Sequence, residues 1–313
     1  MGIDNLNISY QKYDDYAQSA NTLFHFMKEL EYLEFILKRG AIVPRYCIEA
    51  INYLNIRNVS QAFQKVAILQ KCFCDIPFHK LADTFSVVGV GEAFESLKPA
   101  EKSEIEKNNT HFAYYGEYAI AFSKSWGEQK KLQPVHYLNA GSQFTKDFSS
   151  LFGEAFSRDE LPDIYAQDIL NRLVYIKPLR GIMQRSVKRE DESSITVEIY
   201  KNFHDEREWR FVPSGDILAP LHLESVIANP NIIPLCNEIN KRLENEQYKD
   251  LWLTFSYDDI RYIIVPDIEA RIKIIKAIMH LSKDCFERKK EIRMQKNVLI
   301  SKILVLDEIR KDW

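Results

Sequence analysis

The residues best suited to chemistry in this chain are Glu206-Arg207-Glu208-Trp209-Arg210. An extended strand alternates its side chains between two faces. Glu206, Glu208 and Arg210 are therefore expected on one face, and Arg207, Trp209 and Phe211 on the other. A buried Trp209 and Phe211 would hold the strand still. Paired carboxylates on a rigid strand suit general-base work or the stabilisation of a developing cation. The plainer alternative is a solvated strand with a cross-strand ion pair.

His25 sits inside the apolar run Leu23-Phe24-His25-Phe26. There it is either a satisfied core residue or a donor aimed into a cleft. Cys72 and Cys74 share a face if their segment is a strand. Zinc knuckles prefer a two-residue spacer and a second pair, so apolar packing is the expectation and no metal is assigned. Lys283 to Lys296 holds six basic and three acidic residues. It reads first as a solvated helix face with paired charges, and second as a phosphate-contacting surface. No G-x-S-x-G, H-E-x-x-H, EF-hand or kinase motif occurs.

These residues need elements to position them. Leu23–Phe26 reads as a buried strand. Leu30, Leu33, Ile36 and Leu37 have helical spacing, and Gly40 follows as a stop. Further strands are expected at 66–76, 118–122, 134–138, 208–212, 260–265 and 301–306. Helices are expected at 144–174, 232–246 and 269–293. Residues 1–20 form a loosely ordered N-terminal segment. Residues 21–313 form a single elaborated α+β domain, with an insertion at about 84–110 and an exposed loop at about 184–200.

Composition narrows the function classes. The 313 residues include only 10 Gly, against 18 Phe, 16 Tyr and 4 Trp. Average glycine usage is about 7%, so phosphate-cradling glycine loops are disfavoured. Gly89-Val90-Gly91 is an incomplete fingerprint, and no P-loop occurs. A net charge of −3 gives no global attraction to nucleic acid or membrane. Five scattered cysteines and a polar N-terminus point to a reduced, cytoplasmic protein without a membrane span.

The blocks LFHF (23–26), ILKRG (36–40), VPRYC (43–47), CFCDIP (72–77), YGEYAIAFSKSWG (115–127), PVHYL (134–138), DEREWRFVP (205–213) and DIRYIIVP (259–266) occur in this order. Together they resemble the AbiGi family of bacterial abortive-infection proteins, labelled the antitoxin of a phage-resistance system. The likeness spans roughly 21–313 and is least at 84–108 and 184–200. A wider, related group of bacterial proteins also carries an E-x-E-W-R ending, and these groups are more distantly similar to ADP-ribosyltransferases.

That second resemblance implies a split, curved β core surrounded by helices, holding NAD in a cleft. It implies that His25 binds the adenosine ribose. Glu208 would stabilise the oxocarbenium-like transition state, and Glu206 would activate the acceptor. Tyr46 would stack on nicotinamide, with Tyr115 and Ser123 as competitors for that position. Arg210 completes the cofactor-binding set. Two functions follow as expectations. One is NAD-dependent transfer of ADP-ribose to RNA, DNA or protein in phage defence. The other is an inactive transferase-like antitoxin that binds a toxin partner. Convergence of His25 with Glu206 and Glu208 on one cleft would favour the first.

Overall fold

The computed structural model describes residues 20–56, 64–84, 86–107, 109–157, 168, 171–188, 193–286 and 291–311. The expected N-terminal segment lies outside them, apart from Ala20.

The first half of the chain supplies strands β1 (Thr22–Met27), β2 (Ala41–Ile42), β3 (Arg45–Ala50), β4 (Lys65–Cys74), β5 (Val87–Val90), β6 (Tyr118–Ser123), β7 (Gln133–Pro134) and β8 (His136–Leu138). The second half supplies β9 (Ile176–Pro178), β10 (Arg180–Lys188), β11 (Ser194–Asn202), β12 (Glu208–Phe211), β13 (Val226–Ile227), β14 (Leu253–Thr254), β15 (Ile260–Val265) and β16 (Ile303–Val305). The helices used below are α1 (Leu30–Arg39), α2 (Gly91–Glu95), α3 (Pro99–Lys107), α4 (His111–Tyr115), α5 (Lys124–Gln129), α6 (Gln143–Ser157), α7 (Gly215–Leu218), α8 (Cys236–Leu243), α9 (Ile268–His280), α10 (Ile292–Ser301) and α11 (Leu306–Lys311). The class is α+β.

A nine-stranded sheet runs β16-β15-β6-β1-β4-β12-β7, with β3 and β13 also pairing β4. Its central strands are near-continuous apolar runs because both faces are covered. One face packs Leu23, Phe73, Ile120, Trp209 and Ile263 beneath α1, α9 and α10. The other packs Phe24, Cys74, Ala121 and Ile264 against Phe112 of α4 and Leu306 of α11. β4 is the longest strand and serves two neighbours along one edge. β1 meets it at Phe24↔Cys74, whereas β3 pairs it from Gln70 to Lys65.

Local chemistry fixes the joints. Gly40 takes φ 61° after α1 and its N–H bonds the Ile36 carbonyl at 2.9 Å, as a helix stop requires. Asp267 caps α9 by accepting from Ala270 N at 2.8 Å. Gly116 joins α4 to β6 at φ 107°.

Two expectations need correction. Of the stretch expected as an exposed loop at 184–200, residues 189–192 lie outside the described residues, and 184–188 and 194–200 are strand. β10 and β11 form a regular hairpin there, in register from Arg180↔Asn202 to Lys188↔Ser194. The polar residues mislead because every second one faces outward, while Met183, Val187, Ile195, Val197 and Ile199 pack inward. From the segment expected as an insertion, β5 extends this pair to a three-stranded sheet, with Phe94 and Ile105 of α2 and α3 beneath it. The single helix expected at 269–293 ends at His280, because Leu281 takes extended angles, and α10 begins at Ile292.

No helix among the described residues is long and apolar enough to cross a membrane.

Candidate functional site

Residues directly opposed across paired strands share a face. Phe24 opposes Cys74, and Cys74 opposes Glu208. On the same registers, Phe73 opposes Trp209 and His25 opposes Ile120. Glu208 and Arg210 therefore lie on one face of the large sheet, and His25 on the other. The His25 ring lies 5.4 Å from that of Phe73, on the aliphatic and aromatic side.

His25 is a satisfied core residue. Its Nδ1 is 2.9 Å from the Cys72 carbonyl oxygen, which makes Nδ1 the donor. Burial, with some repulsion from Lys71, lowers its pKa to about 3, so it is neutral at physiological pH. Tyr46 also departs from the expectation. Its hydroxyl donates to the Glu224 carbonyl at 2.6 Å and its ring packs with Leu69 and Ile227. Tyr46 is one residue out of phase with Glu49, which reaches Arg210, so alternation sends it to the face away from Glu208. Ser123 caps α5, accepting from Trp126 N at 3.2 Å, and lines a shallow groove with Asp258, Arg261 and Lys302. These three residues do not join Glu208 because strand parity and helix capping direct them elsewhere.

Glu206 reaches Glu208 by a route the alternation argument did not foresee. Asn202 accepts from His204 N at 3.2 Å and starts a short 3-10 turn over Phe203–Glu206. Arg207 then takes φ 44°, in the left-handed region, and β12 begins only at Glu208. Glu206 is thus on a turn, not on the strand. A cation holds the two carboxylates together: Lys177 Nζ lies 2.6 Å from one Glu206 oxygen and 3.0 Å from one Glu208 oxygen.

The rest of the cluster closes around them. Arg210 Nε donates to Glu208 at 2.6 Å, its Nη2 to Glu49 at 2.7 Å, and its Nη1 to the Val174 carbonyl at 2.8 Å. Gln70 donates to the same Glu49 oxygen at 2.7 Å. Lys201 donates to Glu206 at 2.8 Å and to the Tyr115 hydroxyl at 3.1 Å. The Tyr115 hydroxyl donates to Glu206. The Tyr137 hydroxyl accepts from Glu208 N at 2.8 Å. Three carboxylates thus meet three cations, with no net charge.

Burial is nearly complete: the Glu206, Glu208 and Arg210 side chains are 5%, 4% and 0% exposed. Burial by itself would raise both carboxylate pKa values. Arg210 and Lys177 instead hold Glu208 far below the usual range, and Lys177 and Lys201 hold Glu206 below it. Burial would lower Lys177, but Glu206 and Glu208 keep it well above its ordinary value. Burial raises the Tyr115 hydroxyl, and Glu206 adds to the effect. Both acids are therefore ionised and spent on internal partners. The cluster ties together β3, β9, β11, β12 and the turn that carries Glu206. It offers no free carboxylate to a ligand.

Of the seven expected site residues, four converge: Glu206, Glu208, Arg210 and Tyr115. Lys177, Lys201 and Glu49 join them without having been expected. For Lys201 a signal was present, since it is in phase with the inward Val197 and Ile199 of β11. Lys177 and Glu49 have no local motif. In the basic stretch Lys283 to Lys296, Lys296 caps the end of α9 by donating to the Met279 and Leu281 carbonyls at 2.7 and 2.8 Å. Residues 287–290 of that stretch lie outside the described residues. Among the described residues no group of three His, Cys, Asp or Glu could hold a metal ion.

A family model described as "Putative abortive phage resistance protein AbiGi, antitoxin" matches residues 103–266. The chain is 34% identical over 284 residues to the abortive phage resistance protein AbiGi of Lactococcus lactis subsp. cremoris, covering 87% of this chain and 100% of that protein. No solved structure matches. The matched family segment includes Tyr115, Lys177, Lys201, Glu206, Glu208 and Arg210, and excludes His25 and Tyr46.

Proposed function

Since the chain belongs to the AbiGi family, we propose that it acts in abortive phage resistance as an antitoxin-type protein that binds a partner toxin. The observation that carries this reading over group transfer is the state of Glu208. Its carboxylate is 4% exposed and held by Arg210 and Lys177, while His25 lies across the sheet. A transferase carboxylate must touch the ribose of its substrate, and a buried, doubly paired one does not. The family description, which includes the word antitoxin, supports the same reading.

NAD-dependent ADP-ribosyl transfer is the second reading. It is favoured by the meeting of Tyr115, Glu206, Glu208 and Arg210. It requires Lys177 to withdraw, and it takes the parting of β1 from β4 after Phe24↔Cys74 as the split of a transferase-like core.

One experiment separates the two. The purified chain and its Glu208→Gln variant are incubated with labelled NAD, total RNA and host lysate. In parallel, cells carrying each form are challenged with phage. Partner binding predicts background labelling by both forms, and phage protection by every variant that keeps the wild-type fold. Labelling by the wild type that Glu208→Gln abolishes would overturn it in favour of transfer.

A further inference from the structure

Helix α9 has two apolar faces. Ala270, Ile274 and Ile278 are buried in the core. Ile268, Ile272, Ile275 and Met279 follow one another at spacings of four, three and four, the repeat of a coiled-coil seam. Ile268, Ile272 and Met279 are 48%, 47% and 50% exposed, and Ile275 is partly buried. A contiguous apolar stripe left open to water marks a contact site. The charges beside this stripe are sorted along the helix. Four carboxylates, Asp267 and Glu269 of α9 with Asp307 and Glu308 of α11, line a shallow groove beside Ile268, against one lysine, Lys311. The other half of the helix, from Lys273 through Lys276 to His280, holds no acid. Glu269 and Lys276 are exposed, and neither forms an ion pair with a described residue.

We infer that this stripe of α9 joins a second copy of the chain as an antiparallel helix pair about a twofold axis. Setting Ile272 level with Ile275 of the second copy also sets Ile268 level with its Met279, so the seam closes on itself. In a heptad seam the flanking charges set partner and orientation. In this register Glu269 comes beside Lys276 of the second copy, and the axis makes the pair twice. His280 of the second copy comes level with Asp267, so the end of each helix that lacks acids covers the acidic groove of the other. Lys273 lies further round the helix, off the seam. A parallel pair has the opposite effect, because it sets Arg271 beside Lys276. The stripe and its charges are thus complementary to themselves in one orientation, the property of a contact that uses the same patch on both copies. The inference concerns assembly and stands apart from the partner-binding reading above.

The test is sedimentation velocity on the full chain from about 1 to about 200 µM. A reversible monomer–dimer equilibrium is expected. The seam is only about 20 Å long, so a dissociation constant of tens of micromolar is expected. Ile272→Glu is expected to abolish the dimer over this range. Ile272→Ser, expected to weaken it at least fivefold, covers the case in which a glutamate there disturbs folding. Glu269→Lys and Lys276→Glu are each expected to weaken the dimer about tenfold, since the axis repeats every repulsion. The two changes in one chain restore opposite charges and are expected to return the affinity to within about threefold of wild type. A chain that stays monomeric throughout overturns the inference and leaves the stripe to a different protein. A dimer indifferent to both changes at Ile272 places the contact elsewhere and also overturns it. A double charge variant as weak as the single ones, or no effect of Glu269→Lys, overturns the antiparallel pairing. The labelling and phage assays score toxin binding separately.

Discussion

Lys201 Nζ stands 2.8 Å from Oε1 of Glu206, and this pair ties the three-stranded sheet to the turn that leads into β12. The lysine side chain is 0% exposed and the glutamate 5%. Removing one partner of such a pair leaves a buried charge, which costs about 3–5 kcal/mol. Lys177 still faces Glu206, so Lys201→Met is expected at the lower end of that range in urea unfolding. Adding Glu206→Gln to Lys201→Met is expected to return part of the loss. An equal or greater loss in the double variant would mean that the pair is not the source of the effect.

The acid limb of stability should begin well above the carboxylate range. His25 has a folded-state pKa of about 3 against an ordinary 6.5. The unfolded chain therefore binds the proton first, and stability falls as pH drops from about 6.5 toward 3. His111, lowered to about 4, acts in the same direction. Glu206 and Glu208 are also depressed, so their contribution is complete above their ordinary 4.5 and fades only below it. His25→Asn keeps a donor for the Cys72 carbonyl and removes the titration. Urea midpoints at pH 7, 6 and 5 should fall about half as steeply in this variant. An unchanged slope would remove His25 from the account.

Gly116 sets how closely α4 approaches β1. A Cβ there would lie 2.0 Å from the Met27 carbonyl oxygen, and the residue holds φ 107°. Gly116→Ala must shift backbone rather than a flexible side chain. A loss of more than about 2 kcal/mol is expected, since clash and backbone strain combine. The neighbouring Tyr115 hydroxyl should lose its bond to Glu206 in the same variant, visible as a change in tyrosine absorbance near 280 nm. Wild-type stability in Gly116→Ala would show that the approach can relax.

Much of the scaffold can be read from the residues in order. β1, β6 and β15 are mostly apolar runs, and α1 carries its periodicity and its glycine stop. The alternation of Glu208-Trp209-Arg210-Phe211 holds because those four residues are a strand. It fails at Glu206 because the turn from Phe203 and the left-handed Arg207 interrupt the extended chain. The face occupied by His25 was not legible for a different reason. It depends on the parity of two pairings through β4, and register is a long-range property. The hairpin at 180–202 was hidden by its polar outer face, although every second residue of β11 is apolar or Lys201. Lys177 and Lys201 were not legible as partners of Glu206 because each comes from a separate strand.

The bond between Arg210 and Glu49 crosses 161 positions of sequence. A ribosome adds about 5–20 residues per second, so Glu49 is made about 10–30 s before the guanidinium that neutralises it. Lys177, Lys201 and Glu206 also arrive in that interval, each from a different strand or turn. The cluster therefore assembles late, and only once synthesis has passed residue 210. A chain that ends between residues 75 and 207 has β3 and β4 but lacks β12, and its Glu49 is without Arg210. The ionic centre is therefore a property of the nearly complete chain, and no N-terminal fragment ending before Arg210 contains it.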